Sequence, residues 1–208
     1  MSDQQYVVLV PVKSPALGKS RLGDLGDDAR RDLAEAFALD TVAACLAATS
    51  VGAVLVVTDD VRFSSVLTGL GAAAVPDGVT GDLNGTLRQA AAEAHRRWPH
   101  LLPVAVCADL PALVPHDLDA TLARIAGPHP WFVSDADGAG TTLYAADYEE
   151  FDPRFGPGSR EAHLDAGARE LPDVATSVRR DVDDLDALRK ALALGVGPRT
   201  AAAAPPTT

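Results

Sequence analysis

Tyr6-Val-Val-Leu-Val-Pro-Val-Lys13 is the stretch of the chain that says most about its architecture. It is a continuous apolar run rich in valine, and it leads into a loop that carries two further cations, Lys19 and Arg21. Continuous apolar strands are typical of parallel sheets that are covered on both faces. Ligands of such sheets gather at the carboxyl ends of the strands. The stretch therefore predicts a buried strand with a cationic loop at the ligand-binding edge of a sheet.

The rest of the chain alternates apolar runs with segments of helical periodicity. Strands are predicted at 53–57, 72–75, 103–108, 131–133 and 141–145, and helices at 27–49, 61–69, 84–98, 115–125, 159–167 and 183–194. This alternation predicts an α/β fold with a mostly parallel central sheet between two layers of helices. We expect one domain over 1–194, followed by a flexible tail over 195–208 that is rich in Ala, Pro and Thr.

Composition excludes several functional classes. The chain has 208 residues, 18 of them basic and 29 acidic, for a net charge of −11, which argues against nucleic acid as a partner. Two cysteines cannot form a disulfide framework or a zinc site. No apolar stretch is long enough for a membrane span, and the first residues do not resemble a signal peptide, so we expect no membrane partner and a cytoplasmic protein.

The loop after the first strand contains Gly18-Lys19-Ser20, but it is not a Walker A motif. That motif needs a glycine at the position of Lys13. The loop is therefore either a solvated turn or a cationic site in which Lys13, Lys19 and Arg21 neutralise a polyphosphate.

Aspartates at two places in the chain are candidate cation ligands. Asp109 ends an apolar strand, where a carboxylate is exposed, caps the next turn or holds a cation. In an extended segment Asp181 and Asp183 point to the same side, because side chains alternate along a strand. Mg²⁺ is a suitable counter-ion, since it prefers oxygen ligands. The alternative for this second group is that Asp183 or Asp184 caps the last predicted helix, which accounts for one of Asp181, Asp183 and Asp184 but not for all three.

Glycine-rich stretches supply further candidates. Asp137–Thr142 is either a hairpin turn or part of a site. Phe155-Gly-Pro-Gly-Ser159 places backbone N–H groups and a hydroxyl at a helix start, which forms an anion site or simply a capped helix. Asn84 either caps its helix or contacts a nucleobase edge through its amide. His163 lies near the anion site, although a surface histidine is the more common case.

Together these motifs resemble the 2-phospho-L-lactate / phosphoenolpyruvate guanylyltransferase family of coenzyme F-420 biosynthesis. The matching segments occur in the family's order: Val10–Lys13, Lys19–Leu22, Leu83-Asn84, Ala108–Pro111, Asp137–Thr142, Phe155–Ser159 and Arg180–Asp183. The resemblance implies a three-layer α/β/α fold of the nucleotide-diphospho-sugar transferase (Rossmann-like) type, related to molybdopterin guanylyltransferase.

The resemblance also implies roles for individual residues. Asp109, Asp181 and Asp183 would hold Mg²⁺ and, with Lys19, form the catalytic set. Lys13, Lys19, Arg21 and Asn84 would bind the nucleotide, and Thr141, Gly156 and Ser159 the phosphorylated acid. The implied reaction transfers GMP from GTP to the phosphate of phosphoenolpyruvate, giving enolpyruvoyl-2-diphospho-5'-guanosine and pyrophosphate.

The sequence leaves alternatives to this reaction open. The acceptor could instead be 2-phospho-L-lactate or 3-phosphoglycerate, and the enzyme could act on a pterin, as molybdopterin-type guanylyltransferases do. The alternative outside enzymes is a nucleotide-binding regulatory subunit, although a pure nucleotide binder has no need for three metal-ligating aspartates. A homodimer and direct transfer of the product to the next enzyme are also compatible with the sequence.

Overall fold

The computed structural model describes residues 5–12, 26–79, 81–127 and 129–205, and the structural statements below concern these ranges. The strands are β1 Tyr6–Pro11, β2 Val51–Val57, β3 Ala73–Val75, β4 Leu102–Val106, β5 Trp131–Ser134, β6 Thr141–Ala145 and β7 Arg169–Glu170. The helices are α1 Asp27–Ala47, α2 Val61–Gly69, α3 Leu83–Arg97, α4 Pro115–Leu122, α5 Ser159–Asp165, α6 Thr176–Arg179, α7 Leu185–Leu194 and α8 Pro198–Ala203.

All seven strands form one sheet in the order β3-β2-β1-β4-β6-β5-β7. The pairs β2–β3, β1–β2, β1–β4 and β5–β7 are parallel, whereas β6 runs antiparallel to β4 and β5. The sheet is therefore mostly parallel, as the sequence predicted, with one reversed strand. Because β6 is reversed, its first residue, Thr141, lies beside the carboxyl end of β4.

Strand β1 is buried on both faces, as its apolar run predicted. Val8 and Val10 pack into the core cluster that contains residues of α1, α2 and α4. Val7 and Leu9 pack into a second cluster, on the opposite face, with residues of α3. The alternation of side chains along one central strand thus supplies the apolar layer on each side of the sheet.

The chain end differs from the predicted flexible tail. Helix α8 packs along α1, and Thr200 is fully buried. The buried carboxylate of Asp40 accepts hydrogen bonds from the backbone N–H of Thr200 at 2.7 Å and of Arg199 at 3.3 Å. The Ala-rich composition did not predict this helix. Its first turn is held by the side chain of Asp40, which lies 160 residues away in the sequence.

No helix in the described part of the chain is both long and apolar enough to cross a membrane.

Candidate active site

Asp109 lies just beyond the carboxyl end of β4. The strand delivers the chain to this edge, and the next residue, Leu110, is fixed by a hydrogen bond from its backbone N–H to Thr41 Oγ1 of α1 at 3.0 Å. Leu110 is itself fully buried. Asp109 is therefore held between a central strand and a buried anchor, at the edge where parallel sheets bind their ligands.

Asp181 and Asp183 come from the extended segment between α6 and α7. The residue between them, Val182, is fully buried in a cluster with Leu33 and Phe37 of α1. Its backbone N–H donates to the carbonyl of Asp109 at 3.1 Å. Because Val182 points into the core, the two flanking carboxylates point the other way, as the period of two predicted.

The three carboxylates converge. One oxygen from each of Asp109, Asp181 and Asp183 lies within 4.8 Å of the others. Asp109 and Asp181 are half-buried and Asp183 is exposed, so the cluster opens to solvent on one side. The neighbouring Asp184 has a separate task, because its Oδ1 caps α7 by accepting from the N–H of Ala187 at 2.8 Å.

The segment that carries Asp181 is tied to the sheet on its other side. Thr142 Oγ1 donates to the carbonyl of Val178 at 2.8 Å. The guanidinium of Arg179 donates to the carbonyls of Ser134 at 3.1 Å and Asp135 at 2.7 Å. Strands β5 and β6 therefore fix the approach of this segment to Asp109.

The predicted acid-binding residues are Thr141, at the start of β6, and Gly156 and Ser159, at the turn into α5. The carbonyl of Thr141 accepts a hydrogen bond from Cys107 Sγ at 3.4 Å, two residues before Asp109. The backbone N–H of Arg160 donates to the carbonyl of Ala139 at 3.2 Å, which ties the start of α5 to the hairpin before Thr141.

Gly156 and Ser159 form the turn into α5. Gly156 has a φ of +139° and the intervening Gly158 a φ of +70°, a region that side chains rarely adopt. The turn closes with a hydrogen bond from the N–H of Ser159 to the carbonyl of Gly156 at 3.1 Å. The glycines are therefore required by the backbone, and Ser159 is left buried at the helix start.

His163 is fully buried, so the expectation of a surface histidine is wrong. Its ring stacks on Phe132 and Tyr144, at centroid distances of 5.3 and 4.9 Å. Burial lowers its pKa to about 4, against which a hydrogen bond with the backbone of Ser159 acts. The sequence indicated only that His163 lies near the candidate anion site, four residues after Ser159.

Asn84 is the second residue of α3, and Asp82 caps that helix instead. The amide of Asn84 makes two hydrogen bonds to the backbone of Phe155. Its Oδ1 accepts from the N–H of Phe155 at 2.7 Å, and its Nδ2 donates to the carbonyl of the same residue at 2.9 Å. In this structure Asn84 therefore positions the turn before Gly156, and its contact with a nucleobase stays a prediction.

Lys13, Lys19 and Arg21, the three predicted triphosphate ligands, lie outside the described residues. Their role stays a prediction from the sequence.

Comparisons with known proteins identify the family of the chain. A family model described as guanylyl transferase CofC like matches residues 6–178. A phosphoenolpyruvate guanylyltransferase of Streptomyces scabiei is 53% identical over 207 residues, covering 96% of each chain. Another of Thermomonospora curvata is 48% identical over 205 residues, covering 98% of this chain and 90% of the relative.

Solved structures share the fold at low sequence identity. A nucleotidyl transferase from Methanothermobacter is 19% identical with a TM-score of 0.63, covering 91% of this chain and 97% of the other. Rv0371C of Mycobacterium tuberculosis, solved as a complex with manganese, is 20% identical with a TM-score of 0.56, covering 92% and 100%. These similarities confirm the predicted nucleotidyltransferase-type α/β fold.

The family model spans most of the chain, and the relatives share about half of its residues over nearly the full length. The resemblance and the enzyme class predicted from the motifs are thereby confirmed: the chain is a nucleotidyltransferase that belongs to the CofC-like guanylyl transferase family.

Proposed function

We propose that this protein transfers GMP from GTP to the phosphate of phosphoenolpyruvate, a step of coenzyme F-420 biosynthesis. The observation that carries the proposal is the convergence of Asp109, Asp181 and Asp183 at the ligand-binding edge of the sheet. The family supports guanylyl transfer, and the names of the relatives support phosphoenolpyruvate as the acceptor. We further propose that the protein meets these small-molecule substrates in the cytoplasm.

A divalent cation, which we propose to be Mg²⁺, would be held by the three aspartates. Each can offer a carboxylate oxygen, and these oxygens are close enough together to share one ion. Such a set of hard oxygen ligands suits Mg²⁺ or Mn²⁺, and the manganese in the Rv0371C complex is in keeping with that preference. When bound, the ion would offset the negative charge of the phosphates and stabilise the developing charge on the pyrophosphate.

The other roles follow the two halves of the site. Thr141, Gly156 and Ser159 would bind the acid, since hydroxyls and backbone N–H groups are hydrogen-bond donors for carboxylate and phosphate. Lys13, Lys19 and Arg21 would bind the triphosphate. Asn84 would support both halves if it also contacts the nucleotide, since it fixes the peptide before Gly156.

In the proposed reaction a phosphate oxygen of the acid attacks the α-phosphorus of GTP. A new P–O bond forms, the bond from the α-phosphorus to the bridging oxygen breaks, and pyrophosphate leaves with that electron pair. The nucleophile is already anionic, so the step requires no strong general base. The protein's contribution is to align two anions and lower their repulsion.

The test is pyrophosphate release from GTP by the purified full-length chain with Mg²⁺. Phosphoenolpyruvate, 2-phospho-L-lactate, 3-phosphoglycerate and a pterin are supplied separately, with a reaction lacking any acceptor. We expect release with phosphoenolpyruvate, at a kcat/KM at least about tenfold above the others. Preference for another acceptor would overturn the substrate assignment, and no release with any of them would overturn the proposed function itself.

A further inference from the structure

His163 makes contacts on both sides of its ring, and the two together determine where its proton sits. Nε2 lies 2.9 Å from the backbone nitrogen of Arg154, whose N–H donates to it. A nitrogen that accepts this hydrogen bond carries no proton of its own. The neutral ring is therefore protonated on Nδ1.

Nδ1 in turn lies 3.0 Å from Thr141 Oγ1, in a buried contact between β6 and α5. The protonated Nδ1 cannot accept, and its N–H is shared between Thr141 Oγ1 and the backbone of Ser159. The hydroxyl proton of Thr141 therefore has to point away from the ring. Among the hydrogen bonds of the described residues, this is the one made by the hydroxyl of Thr141. Its proton is thus available to a ligand.

The surroundings of the ring keep this arrangement fixed. His163 is inaccessible to solvent and lies among Phe132, Tyr144 and Phe155, the last of these edge-on at 5.7 Å. A charged imidazolium would place a second N–H against the N–H of Arg154. The lowered pKa of His163, caused mainly by burial, agrees with a ring that is neutral at physiological pH.

We propose that His163 is a positioning residue for the acid substrate, because it compels the Thr141 hydroxyl to donate its proton to the bound anion. The inference rests on the proposed function, in which Thr141 contacts that acid. A hydroxyl that can only donate favours a fully ionised oxygen over a neutral one. His163 thereby contributes to the selection of an anionic acceptor without touching it.

Two substitutions separate the contacts of the ring. In His163→Gln the amide reaches the position of Nε2 and can still accept from Arg154, but the donor to Thr141 is lost. In His163→Asn the amide reaches the position of Nδ1 and can still donate to Thr141. We expect His163→Gln to raise KM for phosphoenolpyruvate roughly tenfold, the size of one hydrogen bond to a charged group, with KM for GTP changed less than twofold. Because His163→Asn keeps the donor to Thr141, it should raise KM for phosphoenolpyruvate by no more than about threefold.

A double-mutant cycle tests whether His163 acts through Thr141. Thr141→Val removes the hydroxyl, and in that background His163→Gln should change KM for the acid by less than twofold. Independent, multiplicative effects would overturn the proposal, as would a parallel rise of KM for both substrates. Thr141→Ser, which keeps the hydroxyl, serves as the matched control and should stay within threefold of wild type.

The result can be separated from failure of the proposed function. If wild type uses a different acid, that acid replaces phosphoenolpyruvate in the cycle and the expected pattern is unchanged. If the His163 variants do not fold, as judged by circular dichroism, the pair Thr141→Val and Thr141→Ser decides. Equal KM values for the acid in that pair would refute a donor role for the hydroxyl and with it the role of His163.

Discussion

Asp183 and Asp184 are adjacent and chemically identical, yet the structure uses them differently. Asp183 belongs to the carboxylate cluster, whereas Asp184 caps α7. We expect Asp183→Asn to lower kcat of GTP turnover by about 100-fold or more, since losing a charged ligand costs several kcal/mol of transition-state stabilisation. Asp184→Asn should stay near wild type, because asparagine caps helices as well as aspartate does.

The measurement is pyrophosphate release at saturating Mg²⁺ and GTP, with thermal unfolding as the control for folding. Asp109→Asn and Asp181→Asn should behave like Asp183→Asn. Wild-type turnover in these three variants, or an equal loss in Asp184→Asn, would contradict the assignment of the cluster.

His163 makes the stability of the protein depend on pH. Its pKa is about 4 in the folded protein and about 6.5 when exposed. Between these values the unfolded chain binds more protons than the folded one, so stability falls as pH falls from about 6.5 to about 4. The loss should approach roughly 3 kcal/mol. Urea unfolding of wild type and His163→Gln across this range tests it, and identical pH slopes in the two proteins would refute the prediction.

The residues of the site differ in how readily the sequence indicates them. The spacing of Asp181 and Asp183 predicted that these two carboxylates point to the same side, and the family resemblance implied that Asp109 joins them. The sequence made His163 and Asn84 candidates without indicating what they contact, because their partners, Thr141, Arg154 and Phe155, are set by tertiary contacts. A lone histidine has no periodicity from which burial can be inferred.

Helix α8 depends on a single buried carboxylate. Asp40→Ala would leave the N–H of the buried Thr200 without its acceptor, which costs about 1–3 kcal/mol. Arg199→Ala is the matched control, because it removes the partly exposed cation and keeps the backbone contacts, at a cost within about 1 kcal/mol. Urea unfolding free energies should rank the variants in that order, and equal losses would contradict a helix fixed by its backbone N–H groups.

Elements with a strong pattern were predicted, whereas β7 and α6 were not. The apolar runs of β1, β2 and β4 were sufficient to predict these strands. Helix α3 ends at Arg97, one residue before its predicted end. Strand β7 has two residues and α6 has four, too few to show either period. Both exist because they pair with or pack against distant elements rather than through local preference.

Two apolar layers, one on each face of the sheet, stabilise the whole molecule. A cavity in either layer should therefore lower the free energy of unfolding of the entire chain. Leu9 is fully buried in the layer beside α3, and Leu9→Ala should lower the free energy of unfolding by about 2–5 kcal/mol. Leu194→Ala removes the same atoms from a half-exposed position and should cost within about 0.5 kcal/mol. Equilibrium urea unfolding compares the two, and similar losses would contradict the layered core.

At this scale the sequence predicted the layers but not the strand order. The alternation of strands and helices was enough to infer a covered sheet. The position of β6 between β4 and β5 could not be predicted from the sequence, because the pairing of strands tens of residues apart depends on how their side chains pack in the folded protein. That insertion is also what brings Thr141 next to the end of β4.

Two members of the carboxylate cluster stand on a segment that adds nothing to the sheet, since every strand residue in the described part of the chain precedes Arg180. Trimming by a carboxypeptidase, or a premature stop codon just before Asp181, would abolish turnover in a polypeptide that still carries the sequence of all seven strands. An intact mass spectrum reports the loss of these residues directly and is therefore the appropriate check on a preparation of this enzyme.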